Sequence, residues 1–342
     1  MKTWFWVTAT VVTVAVFAAV AGASSRPVGR SVSSGRLTSK GLIAFTRYRL
    51  QSSPLWSEIW VARPDGSRAV RVSRSGRAVE DDQAHFSPDG RWIVFDRCTQ
   101  DGPCSIWRVR PTGAGQTRVM IPCAARMCDD SNAAFAPDGR HLLIQHEWGT
   151  VKSGTIPDND QIEYSAIIET NLDGSHAVTL REFDGWSGGF EAPRLTPNGR
   201  TVVFRAYRWR PDRILPRALY TAPKTGGPAH RITPLTLQAG GEAVSPDGRS
   251  VLFKSTFGGE LTPGNALYTV SIDGSGLRQL IPPSASYVIT GSYSPDGRSI
   301  VFATNDGATG SFADVFTRDL STGIRGQVTD TQNLDGWPDW GR

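Results

Sequence analysis

One stretch, Phe86-Ser87-Pro88-Asp89-Gly90-Arg91-Trp92-Ile93-Val94-Phe95, recurs along the 342-residue chain and limits what the chain can fold into. Further copies begin at Phe135, Leu195, Val244 and Tyr293. Each reads as an apolar residue, a small residue, Pro, Asp or Asn, Gly, Arg, one free position and three apolar residues. Proline presets φ for the second position of a tight turn, Asp tolerates the third, and Gly takes the left-handed conformation that follows. The chain must reverse there. The apolar residues on either side, with β-branched and aromatic runs such as Ile93 to Phe95 and Val202 to Phe204, predict two antiparallel strands.

A second strand pair around a Gly turn follows each copy, as in Ile59 to Ala62 before Asp65-Gly66 and Leu267 to Ser271 before Asp273-Gly274. Six such second hairpins can be read. Pro88, Pro137, Pro197, Pro246 and Pro295 lie 49, 60, 49 and 49 residues apart, so one period is one four-stranded sheet. That period predicts a propeller. Five first hairpins are complete and the chain ends carry the halves of a sixth. Pro338-Asp339-Trp340-Gly341-Arg342 matches the start of the motif and Gly41-Leu42-Ile43-Ala44-Phe45 its end. Pairing them closes the ring and hides its edges. The expected fold is all-β: a six-bladed β-propeller of four-stranded antiparallel blades over 41–342.

These residues resemble the WD40-like propeller repeats of TolB-type proteins, whose signature is the same Ser-Pro-Asp-Gly-Arg turn in a blade of this length. The resemblance spans roughly Gly41 to Arg342 and is to the propeller alone, without the additional α/β domain of TolB. It implies a fold, and it carries no TolB partner over to this chain.

Residues 1–23 read as an export signal: Lys2, an uncharged apolar run from Trp4 to Val20, and Ala21-Gly22-Ala23 as a small-residue cleavage site. An uncleaved anchor is the alternative, since the run is long enough to span a bilayer. Residues 24–40, rich in Ser, Gly and Arg, read as a flexible basic linker. The chain has 37 basic and 32 acidic residues, and Lys2, Arg26, Arg30, Arg36 and Lys40 account for the whole excess. The propeller is balanced, so the high pI gives no argument for nucleic-acid binding. Membrane contact is expected only through the signal or linker. The expected setting is extracytoplasmic, secreted or in the envelope, as a monomer.

Propeller topology puts both kinds of short turn on one face and the variable connections on the other. The variable face is where binding residues are expected. The third blade carries the extra residues of the long spacing, between Gln145 and Glu163. Trp148 lies there. Tyr207, Arg208, Trp209 and Arg210 mix cation with aromatic in the fourth blade, and Trp56 and Trp186 map to the same face. Exposed Trp and Arg make interface hot spots. The connections into the inner strands are acidic, with Glu80-Asp81-Asp82, Asp129-Asp130, Asp184, Glu191, Glu242 and Asp335 crowding the channel mouth. Of these, Asp82, Asp130, Glu191, Glu242 and Asp335 are the expected contacts for a basic partner, or for calcium through oxygen ligands.

The four cysteines fall on this face around the second blade. In an exported chain they read as disulfides, Cys98 with Cys104 across a hairpin mouth and Cys123 with Cys128 within a connection. Crossed pairing and a four-Cys zinc site remain alternatives, the latter against the spacing. Gly185-Trp186-Ser187-Gly188-Gly189 fits the nucleophile-elbow pattern but lacks the strand, helix and hydrolase domain that an elbow requires. The expectation is a non-catalytic module binding an envelope or secreted protein or a glycan, with no catalytic residue and no cofactor assigned. The alternative is a carbohydrate-active lyase or hydrolase using His146, Glu147 and Glu163 in the channel mouth.

Overall fold

In the computed structural model the Pro-Asp-Gly copies are hairpin turns that satisfy themselves. Ser87 Oγ donates to Asp89 Oδ1 (2.6 Å) and accepts from Trp92 N (2.9 Å), and Arg91 N donates to Asp89 Oδ1 (3.0 Å). Gly90 closes the turn at φ 69°, where a Cβ would meet the Arg342 carbonyl at 2.8 Å. The same hydroxyl–carboxylate geometry recurs at Ser245 with Asp247 and at Ser294 with Asp296. The structure describes residues 41–342 except 51, 53–54, 100–101, 126, 150–163, 185–187, 211–212, 215, 256–262 and 307–311. The expected signal and linker, at 1–23 and 24–40, lie outside the described residues, as do Trp186 and Glu163.

The strands form six antiparallel sheets of at least four strands each. The first blade holds β1 (Leu42–Tyr48), β2 (Ser57–Ala62) and β3 (Val70–Arg71), and the second β4 (Val79–Phe86), β5 (Ile93–Thr99), β6 (Cys104–Val109) and β7 (Thr117–Arg118). The third has β8 (Met127–Phe135), β9 (His141–Gly149), β10 (Tyr164–Asn171) and β11 (Val178–Asp184). The fourth has β12 (Gly188–Leu195), β13 (Thr201–Arg210), a short β14 (Arg213–Ile214) paired on β13, β15 (Ala218–Pro223) and β16 (His230–Arg231). The fifth has β17 (Ala239–Val244), β18 (Ser250–Ser255), β19 (Leu267–Ser271) and β20 (Arg278–Ile281). The sixth has β21 (Val288–Tyr293), β22 (Ser299–Thr304), β23 (Asp314–Asp319) and β24 (Arg325–Gln327), and β25 (Leu334–Gly341) returns to the first blade.

The apolar run after each turn is the second strand of its blade, covered on both faces. Its third residue is Phe45, Phe95, Phe204, Phe253 or Phe302 in five blades and Ile144 in the third, each at most 1 % exposed. Burying each such side chain stabilises the fold by about 1.5–3 kcal/mol. The rings pack between neighbouring blades, so the core is a ring of wedges rather than one centre.

Closure follows the expected scheme, since β25 pairs with β1. The expected alignment of its residues does not hold. Trp340 pairs with Ile43 as Phe86 pairs with Ile93, so Trp340 holds the Phe86 position and Pro338-Asp339 lie inside the strand, not in a turn. At the rim every outer strand carries an arginine: Arg71, Arg118, Arg181, Arg231, Arg278 and Arg325. A charge on a short edge strand discourages pairing with another chain.

Candidate functional site

Each inner strand lines the channel and is interrupted at the same place. Bulges fall between Asp82 and His85, Ser131 and Ala134, Glu191 and Arg194, Gly240 and Ala243, and Thr290 and Tyr293. Gln83, Asn132, Ala192, Gly241 and Trp337 sit at φ of 45–60° there. A bulge re-aims the side chains beside it. The ladder resumes beyond the bulge, so the acidic residues expected on connections, Glu80 to Asp82, Asp129, Asp130, Glu191, Glu242 and Asp335, stand within β4, β8, β12, β17 and β25.

Four acids at the mouth are matched by bases across the strand pair. Arg47 donates from Nε and Nη2 to both oxygens of Asp335 (2.6 and 2.7 Å), and Arg97 does the same to Asp81 (2.6 and 2.9 Å). His146 Nδ1 lies 2.6 Å from Asp130 Oδ1 at the equivalent place in the third blade. Glu191 forms ion pairs with Arg205 (2.5 Å) and Arg217 (3.3 Å). Asp82 accepts from Thr46 Oγ1 (2.7 Å) and Tyr48 OH (2.6 Å).

Other carboxyls form no ion pair within 4 Å among the described residues. Asp96 is 3 % exposed, faces Asp82 in register, takes one hydrogen bond from Asn132 N (2.7 Å) and leaves Oδ1 without a partner. Burial holds its pKa well above the usual range despite that hydrogen bond, and Asp82 adds to the rise. Asp129 and Glu147 are register partners. Burial raises Glu147 to about 8, helped by Asp129 and Glu191, and raises Asp129 to about 6, with Asp130 adding to it. Glu242, 4 % exposed and without a hydrogen bond at either oxygen, is raised to about 7 by burial against the pull of Arg205 and Arg194. Glu80 is raised to about 7 by burial and by Asp82.

Deeper in the channel three blades meet in a network that the sequence reading missed. Arg194 Nη2 donates to His85 Nε2 (2.6 Å), so the ring proton sits on Nδ1, which faces Asp339 Oδ1 at 3.7 Å. Burial and Arg194 depress the His85 pKa. Burial pushes Asp339 up, but His85 and the Phe86 N–H outweigh it and leave the carboxyl low. His85, Arg194 and Glu242 line a cavity of about 50 Å³ with Gln83, Asn132 and Trp337. A signal was present. His85 and Arg194 each precede the first apolar residue of a motif copy, where Ala134 and Ala243 stand in two others.

The aromatic residues on the loop side are partly taken up by their own surroundings. Trp148 stacks on Tyr164 (5.2 Å, 14°), and His146 covers it from another side (5.1 Å). Tyr164 remains 39 % exposed. Arg49 lies over Trp56 (5.7 Å) and Arg217 over Tyr207 (5.6 Å). The stretch from Arg205 to Arg210, expected as loop, continues β13, because β14 returns to pair with it. Arg208, Trp209 and Arg210 are on that strand, and their side chains lie outside the described part. The two disulfides are Cys98–Cys104, on register partners of β5 and β6, and Cys123–Cys128. His146 and Glu147 are successive residues of β9 and point to opposite faces of the sheet.

A further crevice opens at the mouth between the first two blades. Tyr48, Leu50, Leu55, Leu334 and Trp337 wall it, Glu80 is its one carboxyl, and it encloses about 10 Å³. Tyr48 and Trp337 meet at 5.5 Å with a 55° tilt.

The fold is shared with solved TolB structures. The chain superposes on TolB from Acinetobacter baumannii with a TM-score of 0.63 at 17 % identity, over 88 % of this chain and 66 % of that one. Against a TolB structure from Agrobacterium tumefaciens the TM-score is 0.56 at 18 % identity, covering 87 % and 92 %. A chain of a nidogen/laminin complex gives 0.60 at 11 % identity, covering 89 % and 99 %. No family model matches the chain, and no curated protein matches it in sequence.

Proposed function

We infer that this TolB-like propeller is a non-catalytic binding module working outside the cytoplasm. It engages a protein or glycan partner with the loop end of its channel. The observation that carries this is the contrast between the two ends. At the turn end the carboxylates satisfy themselves locally, and Asp89, Asp247 and Asp296 are lowered by the Ser hydroxyl and the Arg N–H beside them. At the loop end stand the half-buried Glu80 carboxyl, which makes no ion pair among the described residues, the partly exposed Trp148–Tyr164 pair and an aromatic crevice. Groups that lack partners within the fold are available to a partner outside it.

Two disulfides fit an oxidising compartment. The likeness to a chain of a nidogen/laminin complex shows that this architecture occurs in protein assemblies. Among the described residues no three His, Cys, Asp or Glu side chains converge as a metal-binding group. Calcium at the mouth therefore remains a separate proposal, to be checked by metal analysis of the purified protein.

The test is affinity capture from envelope and culture-fluid extracts, with immobilised polysaccharides as a second arm. A variant with Trp148→Ala and Tyr207→Ala runs alongside. A ligand held by the natural chain and released by the folded variant supports the reading. Identical capture by both, or turnover of a polysaccharide, overturns it.

A further inference from the structure

Glu80 has an unusual position for a carboxylate. It is half-buried, it makes no hydrogen bond or ion pair among the described residues, and its neighbours in the crevice are Tyr48, Leu50, Leu55, Leu334 and Trp337. Behind it lie more acids. Asp82 is fixed by the Tyr48 hydroxyl, and the almost fully buried Asp96 keeps one oxygen without a partner. Apolar walls with one unmatched acid at the end suit a ligand that is apolar along its length and cationic at its tip. Two aromatic rings beside the acid add cation–π attraction.

Size narrows the choice. The crevice is partly open to solvent, and its recess of about 10 Å³ accommodates one water-sized group. A primary ammonium is that size, whereas a planar guanidinium with its three nitrogens is larger. We propose that the crevice between the first two blades seats one primary ammonium group, a lysine side chain of a protein partner, with Glu80 as its counter-charge and Tyr48 and Trp337 as its walls. This rests on the binding reading above and names the chemistry of the partner.

Proton linkage follows from the site. The Glu80 carboxyl is raised to about 7 by burial and by Asp82, and an ammonium binds only its ionised form. Binding therefore releases a proton near neutrality. Affinity rises with pH, by about ten-fold between pH 6 and pH 8. Asp82, which couples to Glu80, is fixed by the Tyr48 and Thr46 hydroxyls, and Arg47 is already paired with Asp335.

The experiment titrates the full chain with acetyl-Gly-Lys-Gly-amide by NMR, beside the same tripeptide carrying norleucine or arginine. Runs at pH 6 and pH 8 are compared, and Glu80→Gln and Trp337→Phe are tested in parallel. The expected result is saturable lysine binding at least ten-fold tighter than norleucine or arginine, with the stated rise with pH. Both the preference and the pH dependence are lost in Glu80→Gln, which still folds cooperatively.

Equal binding of the three peptides, lysine binding unmoved by Glu80→Gln, or no saturation overturns the proposal. So does a Glu80-dependent response to calcium chloride with none to the peptide. A captured partner that Glu80→Gln retains and the Trp148/Tyr207 variant loses would sink this inference while leaving the binding reading intact.

Discussion

Arg47 and Asp335 show what a single pair decides at the channel mouth. Both are buried and joined by two hydrogen bonds, so the charges have left water but found each other. Replacing Arg47 with Ala leaves Asp335 with only the Thr331 hydroxyl (3.2 Å). Urea unfolding at pH 7 is expected to show a loss of about 3–5 kcal/mol. Glu242 is the opposite case, a buried carboxyl that loses stability on ionising. Glu242→Gln is expected to shrink the difference in Tm between pH 5 and pH 8, measured by calorimetry. An unchanged difference would mean that the acid is solvated.

Among the elements, the bulged inner strands and the bridged second blade carry the constraints. Gly241 sits at φ 59°, and a Cβ there would meet Thr290 at 2.9 Å. Gly241→Ala thus combines left-handed strain with a side-chain clash. A destabilisation of about 1–3 kcal/mol is expected from a denaturant series. Cys98–Cys104 and Cys123–Cys128 each close a short loop. Reduction is expected to cost about 2 kcal/mol per bridge in the chain-entropy account. A Tm unchanged by dithiothreitol would show that the bridges do not constrain the unfolded chain.

Legibility at this scale was uneven. The Pro-Asp-Gly turns, the second hairpins and both cysteine pairs were readable because each is set by neighbouring residues. The acids of β4, β8 and β25 were misplaced onto connections, since polar residues inside a strand look like loop in one dimension. Trp148 and Tyr207, expected on loops, stand on β9 and β13, and their stacking on Tyr164 and under Arg217 was invisible from sequence.

For the whole molecule, the unmatched carboxyls make stability depend on pH in an uncommon direction. Glu80, Asp129, Glu147 and Glu242 ionise at about 7, 6, 8 and 7 in the folded chain, above ordinary carboxyl values. Between about pH 4.5 and pH 8 the folded state therefore holds more protons than the unfolded one. Stability falls as pH rises through that window. Asp81, Asp82 and Asp96 are raised by burial as well, and His85, depressed by burial, acts in the other sense below its ordinary value. Tm is expected to be several degrees higher at pH 5.5 than at pH 8, and a higher Tm at pH 8 would show that cations or water reach these acids.

What the sequence by itself determined was the repeat: the turn chemistry, the four-strand period, the blade number and the closure of the ring. These depend on residues close in the chain or on a register that each copy repeats. Only the tertiary structure decided which side chains meet in the channel. Arg194, His85 and Asp339 come from three blades, and Tyr48, Glu80 and Trp337 meet although Glu80 and Trp337 stand far apart in the chain. Closing the ring brings such residues together, and the bulges of the inner strands choose which of them face the channel.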